Sequence, residues 1–422
     1  MRQRLEQWLG EDETRLLEQA GRLAHEAGMR LYLAGGSVRD ILLGCPHQDW
    51  DLVVEGDGLA LAQALGEAWC GRSTLHDRFL TARIELDGET HFDIATARTE
   101  TYPRPGALPV VTPASMEEDL WRRDFGANAL AVALGPDDWG DVLDPTGGID
   151  DLRRRIIRAL HDRSFWDDAT RIVRAVGFEQ RLGFAIERHT EAWIREAAAH
   201  GALQTVSTER LGEAILPLLS NSVGPQVLAR GHELGIARAL GVRVAFSRRA
   251  LRALREVPAA LKALGEAGDP RARAVACLVA LLLGRSVEAV QMIERLHLDR
   301  PTARELRGAE RALRTWPEGF RPEARPGDLW AQLREADFGA VTMLWLANPS
   351  PTVRKALVSF WQDLRPTKPD FDLDDLRALG FRPGVLFGEA VQAALRAKLN
   401  DHAGREDQLS VAQDVLQSPL EM

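Results

Sequence analysis

The apolar positions of this chain change their period once. Near the front, short apolar or alternating runs bounded by Gly, Asp or Pro predict strands at Arg30–Ala34, Trp50–Val54, Thr81–Leu86, Thr90–Ala95 and Asn128–Leu134. Helical spacing lies between them, as in Glu13–Ala27 and Leu59–Ala68. From Asp150 onward, Leu, Ala, Arg and Glu recur at helical spacing through Ala169–Leu182, Glu209–Leu219, Ala250–Leu264 and Ala272–Leu283. Pro and Gly interrupt this body at Gly224–Pro225, Gly268–Pro270, Pro317–Gly319 and Pro322–Pro326, and Phe371–Val415 is again helical. The expected fold class is α+β: a mixed sheet with helices over residues 1–150, then a long helical body.

The strongest local signal is Leu31-Tyr-Leu-Ala-Gly-Gly-Ser-Val-Arg-Asp-Ile-Leu-Leu-Gly44, with Asp49-Trp-Asp51 following it. A strand runs into Gly35-Gly36 and then into a helix starting near Val38. Paired glycines let the backbone approach a ligand, and the helix N-terminus behind them offers free amides to phosphate. Asp49 and Asp51, at i and i+2 on a strand, point to one face. Such a pair repels itself, and a half-buried pair needs a cation. Hard oxygen donors point to Mg²⁺. Asp93, in His91-Phe-Asp93-Ile-Ala-Thr, is a third candidate ligand on a neighbouring strand. Two ions would activate a hydroxyl and stabilise a pyrophosphate leaving group. An isolated Gly-Gly turn or Asp-x-Asp strand also occurs with no ligand at all, and Asp93 alone reads equally as a strand-end cap. It is their order and spacing that favours the chemical reading.

Composition changes this picture little. The 422-residue chain exceeds one ordinary core, so two to four domains are expected. It carries 27% charged residues and a formal net charge of -9, which argues against a general polyanion binder but permits a local basic face. Arginine far outnumbers lysine, which suits bidentate phosphate contacts and equally suits a GC-rich genome. No apolar run is long enough to span a bilayer, and Met1–Arg15 lacks the core of a signal peptide. Cys45, Cys70 and Cys277 are isolated and read as reduced structural thiols, which suits a cytoplasmic protein. Trp121, Trp166 and Trp193 read as core residues rather than stacking platforms.

In order along the chain, the motifs resemble those of the bacterial and eukaryotic class of tRNA nucleotidyltransferases and the related poly(A) polymerases. Gly35-Gly36-Ser-Val-Arg39-Asp40 with Asp49 and Asp51 resembles the family's catalytic motif. Arg122-Arg123-Asp124-Phe-Gly-Ala-Asn128 resembles its ribose-recognition motif, and Asp144–Leu152 its head-to-neck linker. Asp167-Asp168-Ala-Thr-Arg171-Ile-Val-Arg174 resembles the base-selecting motif, and Val206–Leu211 a helix start that braces it. Asp374–Gly384 and Ala397-Lys398-Leu resemble the family's tail, whereas Arg248–Gln362 matches by order and length alone.

The resemblance implies a catalytic head over 1–150, a base-selecting neck over 151–245, a body over 246–350 and a tRNA-binding tail over 351–422. It implies a nucleotidyltransferase that adds the terminal A or CCA to the tRNA 3′ end from ATP or CTP, with no nucleic-acid template and with two Mg²⁺ ions. Asp49, Asp51 and Asp93 would be the catalytic metal ligands. Gly35, Gly36, Arg39, Arg123, Asp124, Asn128, Asp168, Arg171 and Arg174 would bind the nucleotide. Partners would be tRNA and nucleoside triphosphates, with no membrane and no obligate protein partner evident. A CC-only member, a poly(A) polymerase, or a catalytically silent RNA-binding module are the alternatives. The tail from Arg405 to Met422 lacks the basic character of a poly(A) polymerase, and intact Asp49, Asp51 and Asp93 argue against a silent module.

Asp168 and Arg171 are three apart, so on a helix they share a face, and together they could read an amine beside an acceptor, as cytosine and adenine present. An i,i+3 surface ion pair is the competing reading. The segment Ala97–Leu108 lies where the family has a mobile loop, and it is not severely shortened, which favours A or CCA addition over CC alone. Three positions depart from the family pattern: Gly126 replaces a usual Thr, Gly177 a common Arg, and Gly44–Asp49 lacks a basic residue. A cationic path for RNA is expected along Arg243, Arg248, Arg249, Arg252 and Arg255, with Arg382 and Lys398.

Overall fold

The computed structural model describes residues 9–45, 50–86, 90–236, 247–284, 296–315, 320–381 and 385–417. The chain forms two compact units, Met1–Ala214 with Glu233–Gly241 and Ile215–His232 with Val242–Met422.

The first unit opens with α1 (Glu11–Glu26), β1 (Arg30–Ala34), α2 (Gly36–Leu43), β2 (Trp50–Glu55) and α3 (Gly58–Ala68). Next come β3 (Arg72–His76), β4 (Thr81–Leu86) and β5 (Thr90–Thr96), then a hairpin of β6 (Arg98–Thr101) and β7 (Val110–Pro113). After α4 (Met116–Trp121) come β8 (Ala131–Ala133) and β9 (Val142–Leu143). The main sheet has the order β3-β4-β5-β2-β1-β8-β9. Only β2 and β5 run parallel in it; the other neighbours are antiparallel. Tyr32, Ala34, Val53, Met116, Leu120 and Ala131 form a core against which α4 closes. A capping box, with Ser115 and Glu118 exchanging bonds, starts α4 and sets the position of the arginines that follow it.

The strands expected over residues 30–95 are present to within one residue. The run Asn128–Leu134 differs: Gly126–Asn128 is a turn of 3₁₀ helix and only Ala131–Ala133 is strand. The Asn128 side chain is engaged with Asp124 and Arg39, which holds that residue out of the ladder. Strand β3 had no apolar signal because it is a polar edge strand, with no residue fully buried.

The rest of this unit is α5 (Gly148–Arg154), β10 (Ile156–Ile157), α6 (Ser164–Asp167), α7 (Thr170–Leu182), β11 (Ala185–Ile186) and α8 (Arg188–Ala199). Helices α9 (Thr208–Leu219) and α10 (Gly224–Glu233) each carry a boundary of the division. The expected all-helical neck therefore needs a correction: β10 and β11 pair in parallel. Two-residue strands are too short to impose a period on the sequence.

The second unit is helical throughout its described residues: α11 (Arg248–Leu264), α12 (Pro270–Leu282), α13 (Arg300–Thr315), α14 (Pro326–Leu333), α15 (Phe338–Ala347), α16 (Pro351–Ser359), α17 (Leu373–Ala378), α18 (Val385–Asp401) and α19 (Arg405–Gln417). Helix α12 buries nearly its whole length and is its central element. Phe371, Leu376, Phe387, Ala390, Ala394 and Ala412 form a separate core among the last three helices.

Candidate active site

The site is built on the turn between β1 and α2. Gly35 has φ 75° and ψ −128°, a conformation that disfavours any residue with a Cβ. Space demands glycine as well: a Cβ there would come within 2.6 Å of Arg123 Nη1 and 3.7 Å of Asp51 Oδ2. The turn, a guanidinium and a carboxylate thus meet at one point. A Cβ on Gly36 would stand 3.6 Å from Arg39 Nη2 and 3.9 Å from the same Asp51 oxygen. Strand β2 is tied to α2 locally, the Asp51 amide donating to Ser37 Oγ at 3.3 Å.

Asp51 and Asp93 are direct neighbours in the parallel β2–β5 ladder. Asp93 is also opposite Arg83 on β4, whose Nε and Nη2 fork onto its two oxygens at 2.7 and 2.8 Å. Asp93 is therefore beside the turn, as expected, but its charge is already matched by a guanidinium. Asp49 lies outside the described residues, and no group of three metal-binding side chains occurs among those described.

Three further arginines are held by buried carboxylates. Asp119, with no exposed surface, accepts from Nε and Nη2 of Arg122 at 2.9 and 2.7 Å and of Arg123 at 3.1 and 3.0 Å. Burial would raise its pKa, but Arg123 and Arg122 win and hold it below the usual carboxylate range. Arg123 is aimed at Gly35 by this fork. Arg122 also reaches Glu100 at 2.7 Å, which accepts the Tyr102 hydroxyl at 2.6 Å.

Asp124 binds Asn128 Nδ2 at 3.0 Å and Arg174 Nε at 2.8 Å. Against its burial, Arg174 and then the Asn128 hydrogen bond hold its pKa down. Arg39 donates to Asn128 Oδ1 at 2.7 Å and forks to Asp40 at 2.8 and 2.9 Å. Arg39, Asn128, Asp124 and Arg174 are thus one hydrogen-bonded chain.

The base-selecting pair is arranged differently from the expectation. Asp168 is not on a helix: its φ of −139° and ψ of 101° are extended, and α7 starts two residues later. Its Oδ1 accepts from the Thr170 amide at 3.0 Å and the Thr170 hydroxyl at 2.7 Å, and its Oδ2 pairs with Arg210 at 2.9 Å. A carboxylate just before a helix satisfies a free amide and the helix dipole, which is why Asp stands there. Arg171 is buried, donating to Ser164 Oγ and to the Arg122 carbonyl, each at 2.8 Å. Asp168 and Arg171 are thus not a surface ion pair. Arg210 also donates to the Gly106 carbonyl at 3.1 Å, which docks the tip of the β6–β7 hairpin beside Asp168.

Sequence reasoning missed Asp119, Glu100 and Ser164 as positioning groups, whereas Arg210 lies in the Val206–Leu211 segment expected to brace the base-selecting motif. Asp119 had a signal, since Arg122 and Arg123 follow it at i+3 and i+4. Trp121, expected in the core, is 45% exposed on the outer face of α4. Gly126 also finds a physical reason: a Cβ there would collide with Asp151 Oδ2 at 2.1 Å, where the Asp151–Arg158 pair fills the space.

Residues 31–158 match the family model described as the Poly A polymerase head domain. The chain is 32% identical to the A-adding tRNA nucleotidyltransferase of Geobacter sulfurreducens, over 94% of this chain and 46% of that protein. It is 40% identical to the A-adding tRNA nucleotidyltransferase of Halalkalibacterium halodurans, over 51% of each. A solved structure titled as a CCA-adding enzyme, apo form II, superposes with a TM-score of 0.81 at 29% identity, covering 98% of both chains. The fold and the motifs around Gly35 are those of a polymerase-type head joined to a helical body. Residues 31–158 are thus similar to the head domain of poly(A) polymerases, and the chain as a whole is similar to tRNA nucleotidyltransferases. It spans about half the length of the curated relatives it matches.

Proposed function

We propose that the protein adds nucleotides, the terminal A or CCA, to the 3′ end of tRNA, taking ATP or CTP and releasing pyrophosphate without a nucleic-acid template. The observation that carries this reading is the convergence of Asp51, Arg123 and Arg39 on the Gly35-Gly36 turn at the start of α2. That arrangement offers backbone amides and guanidiniums to a triphosphate, beside a carboxylate suited to a hard cation. The names of the curated relatives described above favour addition of A.

Asp51 with Asp49 offers the oxygen donors that Mg²⁺ requires, and Asp93 joins them only if it exchanges Arg83 for metal. Bound there, Mg²⁺ would neutralise charge on the phosphates and lower the pKa of the attacking hydroxyl. The chain's own residues orient the nucleotide. Gly35 and Gly36 admit the phosphates, Arg123 and Asn128 face the sugar, and Asp124 holds Asn128 and Arg174 in place. Asp168 and Arg171 read the base, positioned by Arg210 and by Ser164. The division into head 1–150, neck 151–245, body 246–350 and tail 351–422 belongs to this proposal, with tRNA on the tail. Among the described residues no helix is long and apolar enough to cross a membrane, and the cytoplasm is the compartment we assign.

The test offers tRNAs ending before CCA, after C and after CC, with CTP or ATP singly. The A-adding reading expects incorporation only of A on the tRNA ending in CC. The CCA reading expects C on the first two as well. No incorporation on any of the three would overturn both.

A further inference from the structure

Phe178 on α7 gathers three guanidiniums. The guanidinium carbons of Arg39, Arg174 and Arg181 lie 5.1, 5.6 and 5.1 Å from its ring centroid. Phe125 meets the same ring edge-on at 5.8 Å, which holds it in place. On α7, Arg174, Phe178 and Arg181 fall at i, i+4 and i+7, so helix geometry presents them on one face.

Two of these charges are matched. Arg39 forks onto Asp40, and Arg174 pairs with Asp124 at 2.7 Å. Arg181 has no carboxylate within ion-pair distance among the described residues. Burial first, and then Arg39, pull its pKa below the ordinary value, with Asp40 opposing and Arg174 adding to the depression. Arg181 is an exposed guanidinium held near two others, an arrangement that an anion stabilises. Gly177 stands one turn earlier at i−4 and carries no side chain.

The cluster is continuous with the site. Arg39, which packs on Phe178, carries its Nη2 to Gly36 and the neighbourhood of Asp51. Arg39 itself is committed, with Nε and Nη2 on Asp40 and Nη1 on Asn128, so an anion drawn to this cluster would be held by Arg181 beside the Arg39–Asp40 pair. We propose that Arg181 is a phosphate-binding residue that holds the β- and γ-phosphates of the incoming nucleotide, an inference that rests on the nucleotidyl-transfer reading. In that reaction the 3′-hydroxyl oxygen bonds to the α-phosphorus as its proton passes to water. The bond from the α-phosphorus to the bridging oxygen breaks, and pyrophosphate departs with the electron pair. Arg181 pairs with that group before and after the step.

The experiment uses the full chain with Arg181→Gln and Arg181→Lys. It measures pyrophosphate binding by titration calorimetry, and KM for ATP and for tRNA ending in CC. A lost charge-assisted hydrogen bond predicts that Arg181→Gln weakens pyrophosphate binding and raises KM for ATP by about tenfold or more. Arg181→Lys should fall between, because it keeps the charge and loses the fork. KM for tRNA should not move. Unchanged pyrophosphate affinity in Arg181→Gln, or an effect confined to KM for tRNA, would overturn the assignment. Wild-type protein that binds pyrophosphate but incorporates no nucleotide would refute the nucleotidyl-transfer reading separately. A melting curve checks the fold of both variants, and pyrophosphate binding by Arg181→Lys decides the matter if Arg181→Gln does not fold.

Discussion

Asp168 carries the most specific claim at the scale of single residues. Both its oxygens are occupied, by Thr170 and by Arg210, so it reads a base only by sharing or exchanging a partner. Asp168→Ala removes the acceptor that demands an exocyclic amine. Losing that hydrogen bond costs about 1–3 kcal/mol, so discrimination against UTP and GTP should fall by roughly tenfold. The check is kcat/KM for all four nucleotides on a matched tRNA end, and four unchanged ratios would reduce Asp168 to a helix cap. The sequence singled this residue out, but its geometry was not legible there. A spacing of three suggested a shared helical face, whereas the carboxylate caps the helix from outside. Asp93 shows the same limit. Its place beside Asp51 followed from strand order, but the Arg83 fork required knowing which strand lies on its far side. Gly35 was legible because its positive φ is a local consequence of a strand–turn–helix, whereas its crowding by Arg123 and Asp51 comes from elements distant in sequence.

At the scale of elements, β1, β2, β4 and β5 were easily read because each is a short apolar or alternating run bounded by turn residues. The polar β3 and the two-residue β10 and β11 carried no such pattern. In the second unit, the crossing of α13 and α15 rests on two glycines. A Cβ on Gly339 would lie 2.2 Å from the Glu305 carbonyl oxygen, and one on Gly308 would lie 2.3 Å from Asp337 Oδ2. Asp337 is also the cap of α15, accepting from the Ala340 amide at 2.9 Å. Gly339→Leu forces backbone against backbone, which costs about 1–3 kcal/mol as overpacking. For a unit of this size the melting temperature should drop by about 2–4 °C per kcal/mol. Nucleotide incorporation per folded molecule should stay the same. A calorimetric scan tests this, and an unchanged melting temperature would mean that the helices have room to separate freely.

For the whole molecule, the net charge of -9 hides a local asymmetry. Arg248, Arg249, Arg252 and Arg255 are all exposed along α11, as a cationic RNA path requires, although Arg252 also pairs with Glu256 at 3.1 Å. Lys398 is committed to Asp370 at 2.6 Å, and Arg243 and Arg382 lie outside the described residues. The order of parts was legible because the apolar period changes near Asp150. The pairing of helices within the second unit was not, because amphipathic helices of similar length offer many equivalent partners. The central claim is that Asp51, beside the Gly35-Gly36 turn, is part of the machinery that transfers a nucleotide to tRNA. The measurement is incorporation of labelled ATP into tRNA ending in CC by the full chain and by Asp51→Ala, with the fold of each confirmed by circular dichroism. Loss of a ligand to a charge-stabilising ion is worth several kcal/mol, so incorporation by Asp51→Ala should be nearly abolished. A variant that keeps more than about a tenth of the wild-type kcat, a barrier change below about 1.4 kcal/mol, would contradict it.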